Sequence, residues 1–99
     1  MDKVLFITDP DSAEVFMLLD QPVRIVHDPG ETEAMFTDAL REGYSIIFIT
    51  ESEAAAIQRQ IAKARQGSPT IVMVIPGMGS SRDTGMRQLQ ALRKSVTGM

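Results

Sequence analysis

Pro69-Thr-Ile-Val-Met-Val-Ile-Pro76-Gly-Met-Gly-Ser-Ser-Arg-Asp-Thr-Gly-Met86-Arg-Gln-Leu-Gln-Ala-Leu-Arg-Lys-Ser-Val96 joins an apolar run, a glycine-rich loop and a basic amphipathic segment. Ile71 to Ile75 is unbroken apolar sequence between prolines, the pattern of a strand covered on both faces rather than one with a wet side. The loop after it has glycines at 77, 79 and 85 and looks like a phosphate cradle. It lacks what phosphate chemistry needs. A loop that holds nucleotide phosphates closes on Gly-Lys-Ser/Thr, so that lysine meets the phosphates and the hydroxyl holds magnesium; here the closing pair is Gly85-Met86. A dinucleotide fingerprint wants a third glycine three residues after the second, and that position is Arg82. The glycines are therefore expected in a surface connection, where the missing Cβ allows positive φ.

Working back from that stretch, the same unit of strand, cap and helix recurs. Val4-Leu5-Phe6-Ile7 reads as a short buried strand, and Asp9-Pro10 opens a helix: the carboxylate caps free N–H groups and proline suits the first helical position. That helix is expected to run to about Asp20, with Val15 to Leu19 more apolar than one buried stripe requires. Val23 to His27 alternates like a strand with one wetter side, and Asp28-Pro29-Gly30-Glu31 repeats the cap, with Glu31 placed to close a capping box. A second helix, about 29 to 42, places Phe36, Ala39 and Leu40 on one face and ends at Gly43. Ile46-Ile-Phe-Ile49 is a third buried strand. Thr50-Glu-Ser-Glu53 has the spacing of another capping box, opening one helix with Ala54, Ile57, Ile61 and Ala64 on its inner face. Gly67-Ser-Pro69 ends that helix, and a last one from about Thr84 carries Met86, Leu89, Leu92 and Val96 on one stripe.

Strands alternating with helices through short connections give a parallel sheet with helices on both faces, because the crossovers are right-handed. The expected fold is α/β, a four-stranded parallel sheet in the order 2-1-3-4, resembling the flavodoxin-like and receiver-like arrangement without its fifth strand. Residues 1–76 form the α/β core of a single domain spanning 1–99, and residues 77–99 its glycine-rich loop and C-terminal helix. Ile71 to Ile75 then lies at an edge, where free N–H and C=O groups invite another chain. A partner, or the C-terminal segment folded back, is expected along that side.

The 99 residues suit one domain, and no apolar run approaches the ~20 residues that cross a bilayer. The N-terminal apolar run meets Thr8-Asp9-Pro10-Asp11 at once and does not read as a signal peptide, so a cytoplasmic protein is expected. The absence of cysteine excludes disulfides, thiolate catalysis and zinc–cysteine sites. The net charge of −3 conceals an asymmetry: residues 1–56 hold 12 acids and 3 bases, whereas residues 57–99 hold 7 bases and the single acid Asp83. The basic half has no aromatic residue to stack a base, which argues against nucleic acid; solvated helix faces or an acidic protein partner fit it better.

Ligands of such sheets bind beyond the carboxyl ends of the strands, where this chain places Thr8, Asp9, Asp11, Thr50, Glu51, Pro76, Gly77 and Gly79. Asp9 and Asp11 beside Thr50 partly resemble a response-regulator receiver. The third strand nevertheless ends Ile49-Thr50-Glu51 with no aspartate to accept a phosphoryl group, and no lysine follows Ile75. The acids sit in capping positions favoured by the helix dipole. Ser80-Ser81 lacks a nucleophile context, and His27 at a strand end has no ligating companion. From the residues alone no catalytic residue, metal site or cofactor is expected. A degenerate receiver-like signalling or protein-interaction domain is the alternative reading.

Three blocks in order resemble the F subunits of the V-type (A-type) rotary ATPases and ATP synthases. The first is Lys3, Thr8-Asp9-Pro10-Asp11-Ser12, Phe16 and Leu19; the second is Tyr44-Ser-Ile-Ile-Phe-Ile-Thr-Glu51; the third is Pro76-Gly77, Gly85-Met86, Leu89 and Gly98. Leu5 and Thr8 replace glycines common in the family's first strand, and Asp20-Gln21-Pro22 its usual helix end. The resemblance implies a non-catalytic part of the central-stalk rotor, docked on the coiled-coil D subunit, with other V1/A1 subunits as neighbours and no cofactor, nucleic acid or direct membrane insertion. Such a protein is cytoplasmic and peripheral to the membrane, helping to couple ATP hydrolysis or synthesis to ion transport. On that resemblance the contact with the D subunit is expected at the loop Gly77, Met78, Gly79, Ser80 and Ser81 and on the last helix at Met86, Arg87, Leu89, Arg93 and Val96.

Overall fold

The computed structural model describes residues 3–77. Four parallel strands, β1 (Val4–Thr8), β2 (Val23–Ile25), β3 (Ile46–Thr50) and β4 (Ile71–Ile75), form one sheet in the order β2-β1-β3-β4. Between them run α1 (Pro10–Phe16), α2 (Thr32–Arg41), α3 (Glu51–Ala56) and α4 (Gln58–Gly67). The α/β class and strand order are those expected from the alternation of apolar runs and caps. The loop and helix expected beyond Gly77 lie outside the described residues.

Period-two alternation sorts the strand residues onto two unequal layers. Leu5, Ile7, Ile47, Ile49 and Val72 pack with Phe36 and Ala39 of α2, Ala54 of α3, and Ile57, Ile61 and Ala64. On the opposite face Phe6, Phe48 and Ile75 meet Val15 and Phe16 of α1, with Val4, Leu19, Val23 and Ile46 at the margin. The register puts Phe6 level with Phe48, and Phe48 level with Met73. The ring of Phe6 lies between its neighbours, 4.9 Å from Phe16 and 4.8 Å from Phe48, both stacked. Each of these side chains contributes roughly 1.5–3 kcal/mol by leaving water, so the thinner layer still anchors α1 firmly.

The helix ends follow from their caps. Asp9 accepts the Ser12 N–H and Pro10 occupies the first turn. After Phe16 the chain tightens into a 3-10 turn, Met17–Leu19, and ends at Asp20 in the left-handed region with φ 55°. A second 3-10 turn, Pro29–Glu31, precedes α2 and carries the expected capping box between Asp28 and Glu31. Gly43 follows α2 at φ 78°, which an L side chain adopts only with strain.

Four expectations are corrected. Thr50 does not cap α3 by a side-chain bond to backbone; its hydroxyl and that of Ser52 both go to the Glu53 carboxylate, which satisfies that acid without closing a box. The single helix expected after Thr50 is two helices, broken at Ile57 (φ −132°, ψ 37°), whose side chain nevertheless stays buried. The second strand is only three residues long, with Val26 buried beyond it and bonded to the Thr8 carbonyl and His27 exposed. Finally, β4 is not covered on both faces: Ile71, Met73 and Val74 are 57%, 41% and 42% exposed. The unbroken apolar run suggests two-sided burial, but at the edge strand the helices reach only part of each face, burying Val72 and Ile75 and leaving Ile71, Met73 and Val74 uncovered among the described residues.

Candidate functional site

The carboxyl ends of β1 and β3 bring together the polar residues singled out from the sequence. Thr8, Ser12 and Thr50 are buried there. Asp9 uses both carboxylate oxygens on one residue: Oδ1 accepts the Ser12 N–H at 2.7 Å and Oδ2 the Ser12 hydroxyl at 3.0 Å. The Thr8 hydroxyl donates to the Asp9 carbonyl at 3.2 Å. Asp11 is exposed in the first turn of α1. Gly77 stands over this cap, where an added Cβ would lie 3.6 Å from the Ser12 Oγ and 3.8 Å from the Asp9 Oδ2. These groups bind one another, so the arrangement is that of a helix start rather than of an acid poised over a ligand. Among the described residues no cluster of three or more His, Cys, Asp or Glu is placed to hold a metal ion.

The second feature is the β4 border. Because the Ile71 N–H donates to the Ser45 carbonyl, residues 71, 73 and 75 turn their peptide groups toward β3 and Val72 and Val74 turn theirs outward. The outward Val72 carbonyl is not free: the Arg65 Nη2 of α4 donates to it at 2.9 Å. Next to it, Glu51, Ala54, Ala55, Gln58, Ile61, Ala62, Arg65 and Val74 line an open groove of about 350 Å³. Of the interface residues expected from the sequence, Gly77 is described; Met78, Gly79, Ser80, Ser81, Met86, Arg87, Leu89, Arg93 and Val96 lie outside the described residues.

A third cluster has no counterpart among the residues expected from the sequence. Arg24 of β2 grips Glu42 beyond α2 through two contacts of 2.8 and 2.6 Å. Lys3 donates to the Glu42 carbonyl at 3.2 Å and lies 4.6 Å from the centre of the Tyr44 ring, which the Arg24 guanidinium approaches at 5.6 Å. The hydrogen bond to Arg24 holds the Glu42 carboxyl below its ordinary value, and the same bond raises Arg24. Lys3, Arg24 and the pair Glu42 and Tyr44 of the α2–β3 connection come from three separate parts of the chain, so no local spacing announces the cluster. Their arrangement ties β1, β2 and the start of β3 at the amino ends of the strands.

No helix among the described residues is long and apolar enough to cross a membrane. Over residues 4–92 the chain matches the model of a family described as ATP synthase (F/14-kDa) subunit. It is also 30% identical over 89 residues to the F subunit of the V-type ATP synthase of Fusobacterium nucleatum subsp. nucleatum, an alignment that covers 90% of this chain and 85% of that protein.

Proposed function

The chain belongs to the ATP synthase (F/14-kDa) subunit family, and on that premise we propose that it is a non-catalytic rotor part of a V-type ATP synthase, docked on the coiled-coil D subunit. In this role nucleotide chemistry belongs to the neighbouring A and B subunits, and this protein helps to couple it to ion transport. The observation that carries the reading is the family match, which spans both the α/β core and the basic segment after it. Two features of the fold agree with it. The Asp9 carboxylate above β1 is committed to Ser12 at the start of α1, and Ile71, Met73 and Val74 of β4 are left without cover among the described residues.

A rotor part must stay attached under torque, which calls for a broad packed contact, with charges setting registry more than strength. We assign part of that contact to the loop from Gly77 to Ser81 and to Met86, Leu89, Arg93 and Val96 of the basic segment. Co-expression with the D subunit from the same source tests the reading: a stable 1:1 complex on size exclusion is expected, and two separately eluting proteins would overturn it. Within a complex that forms, simultaneous charge reversal at Arg87, Arg93 and Lys94 is expected to weaken association. Unchanged co-purification would remove the electrostatic part of the assignment.

A further inference from the structure

We propose that residues 84–96 of this chain form a helix laid beside α1 over the bare part of the sheet, with Gln88, Ala91, Leu92 and Ser95 against Ile71 and Met73. This seat leaves the neighbouring stripe, Met86, Leu89, Arg93 and Val96, to the D subunit. The seat itself lies within one chain; only the identity of what takes the second stripe rests on the rotor reading.

The bare area belongs to one face of β4. Val72 packs in the layer of α2, α3 and α4, so period-two alternation turns Ile71, Met73 and Ile75 to the side of α1. There Ile71 stands level with Ile46 and Met73 with Phe48. Phe48 and Ile75 are buried, whereas Ile71 and Met73 are 57% and 41% exposed. All-parallel sheets are covered by helices on both faces, and this face has α1 alone among the described residues. The vacancy is a lane for one more helix.

The described chain ends at the head of that lane. A Cβ added to Gly77 would lie 3.6 Å from the Ser12 Oγ and 3.8 Å from the Asp9 Oδ2, so the chain leaves β4 on the α1 side of the sheet, beyond the carboxyl ends of the strands. Length then fits. Met73 lies roughly 13 Å and Ile71 roughly 20 Å back along β4 from Gly77, at ~3.3 Å per residue. A helix that begins at Thr84 beside Gly77 and runs back along the sheet brings Leu92 to roughly 12 Å and Ser95 to roughly 17 Å on the same path, at ~1.5 Å per residue.

Spacing settles which side faces the sheet. Positions 88, 91, 92 and 95 recur at three and four and share one helix face, while 86, 89, 93 and 96 share the next. The first set is uncharged, as a face laid on Ile71 and Met73 requires, and Arg87 and Lys94 fall on the side away from it. Attachment favours this occupant over a free helix or a second copy, because a tethered segment has a local concentration on the order of millimolar that any rival must exceed.

The chain has no cysteine, so paired substitutions in the full-length protein read the seat directly. Met73→Cys with Leu92→Cys is expected to give an intramolecular product with a short bismaleimide, identified by mass after digestion. Val74→Cys with Leu92→Cys is the control, since Val74 lines the groove on the other face, and little product is expected. Equal yields from both pairs, products that join two chains, or no product at all would overturn the seat and leave the rotor reading standing. The linked chain is expected to bind the D subunit as tightly as the unlinked one; a loss beyond about tenfold overturns the division of the two stripes. If the crosslink forms but the unlinked chain gives no complex with the D subunit, the rotor reading falls and the seat stands. A second measurement needs no reagent. Leu92→Asp is expected to lower Tm by roughly 4–8 °C, and Leu89→Asp to leave Tm unchanged while weakening the complex. The reverse pattern overturns the assignment of faces.

Discussion

Thr32→Val should make this protein more stable, against the usual sign of a core substitution. Thr32 is 1% exposed at the start of α2, and its hydroxyl is the buried side-chain polar atom without a hydrogen-bond partner among the described residues. Threonine and valine share the branched shape and the restricted χ1, so helix propensity and packing volume nearly cancel. What remains is desolvation: a hydroxyl held from water without a bond is disfavoured by roughly 1–3 kcal/mol in proteins. Since the added methyl must still fit, a net gain of about 1 kcal/mol is expected, or roughly 4–8 °C in Tm for a domain of this size. Thr70→Val is the matched control. Its hydroxyl donates to the Tyr44 carbonyl at 2.7 Å and is similarly buried, at 6% exposure. The same chemical change there strands a carbonyl, and a loss of roughly 1–3 kcal/mol is expected. Urea denaturation of the two variants, at unchanged m, reads the difference directly. Equal losses in both would refute the reasoning, because the Thr32 hydroxyl would then have to be bonded.

Gly43→Ala should lose about 1 kcal/mol with no steric clash, since φ is 78° and nothing lies within 4 Å of the added Cβ; Gly43→Asn should recover part of it in the same denaturation assay. Glu42→Gln should lower stability slightly at neutral pH, the effect being small because the Arg24–Glu42 pair is 30% and 45% exposed. Glu42 is depressed in the fold, so its contribution is present above the unfolded carboxylate value and is lost as pH falls through the folded one. The gap between wild type and variant should accordingly close on acidification, and a gap that widened would contradict the assigned pairing. Arg65→Ala should release the Val72 carbonyl and leave the middle of the β4 edge open. Concentration-dependent self-association by light scattering is expected, whereas Lys63→Ala on the same helix should leave the protein as it was.

Whatever depends on local pattern is legible in the residues. Val4 to Ile7, Ile46 to Ile49 and Ile71 to Ile75 announce strands by unbroken apolar character, and Asp9-Pro10 and Asp28-Pro29 announce the chain turning into helix. The strand order then follows from right-handed crossovers. The break at Ile57 is invisible because periodicity reports burial and not dihedral angles: Ala54, Ile57, Ile61 and Ala64 all face the core whether the helix is continuous or bent. The box expected at Thr50 fails for a related reason. The spacing brings Glu53 near Thr50 but does not say whether its carboxylate meets a backbone N–H or the two hydroxyls it in fact takes. Burial of β4 departs from expectation because an apolar strand records what it prefers to touch, and its neighbours are settled only when the sheet is assembled. The candidate surface is half legible in the same sense. The edge follows from strand order, while the Arg65 bond that changes what the edge accepts joins residues seven apart in different elements.

That bond alters what the border can attract. Free peptide groups beside exposed Ile71, Met73 and Val74 would make β4 a template for indiscriminate pairing, the commonest failure of an apolar edge. Placing a guanidinium on the Val72 carbonyl takes one outward backbone group out of any ladder and shifts the balance toward the side chains, whose complementarity depends on shape and is therefore selective. The two layers of the fold divide the work accordingly. The helices α2, α3 and α4 cover one face of the sheet, while the opposite face has α1 and leaves the β4 flank bare among the described residues. For a protein proposed to ride on a rotating shaft, that division matters. The Phe6–Phe16–Phe48 stack ties α1 to β1 and to β3, the strand beside the border, and the Arg24–Glu42 pair ties β2 to the end of α2, so these contacts hold the sheet together without drawing on the exposed side chains of β4. It follows that loosening the stack by Phe16→Leu should lower stability without lowering affinity for the D subunit, whereas the triple reversal of Arg87, Arg93 and Lys94 should do the opposite.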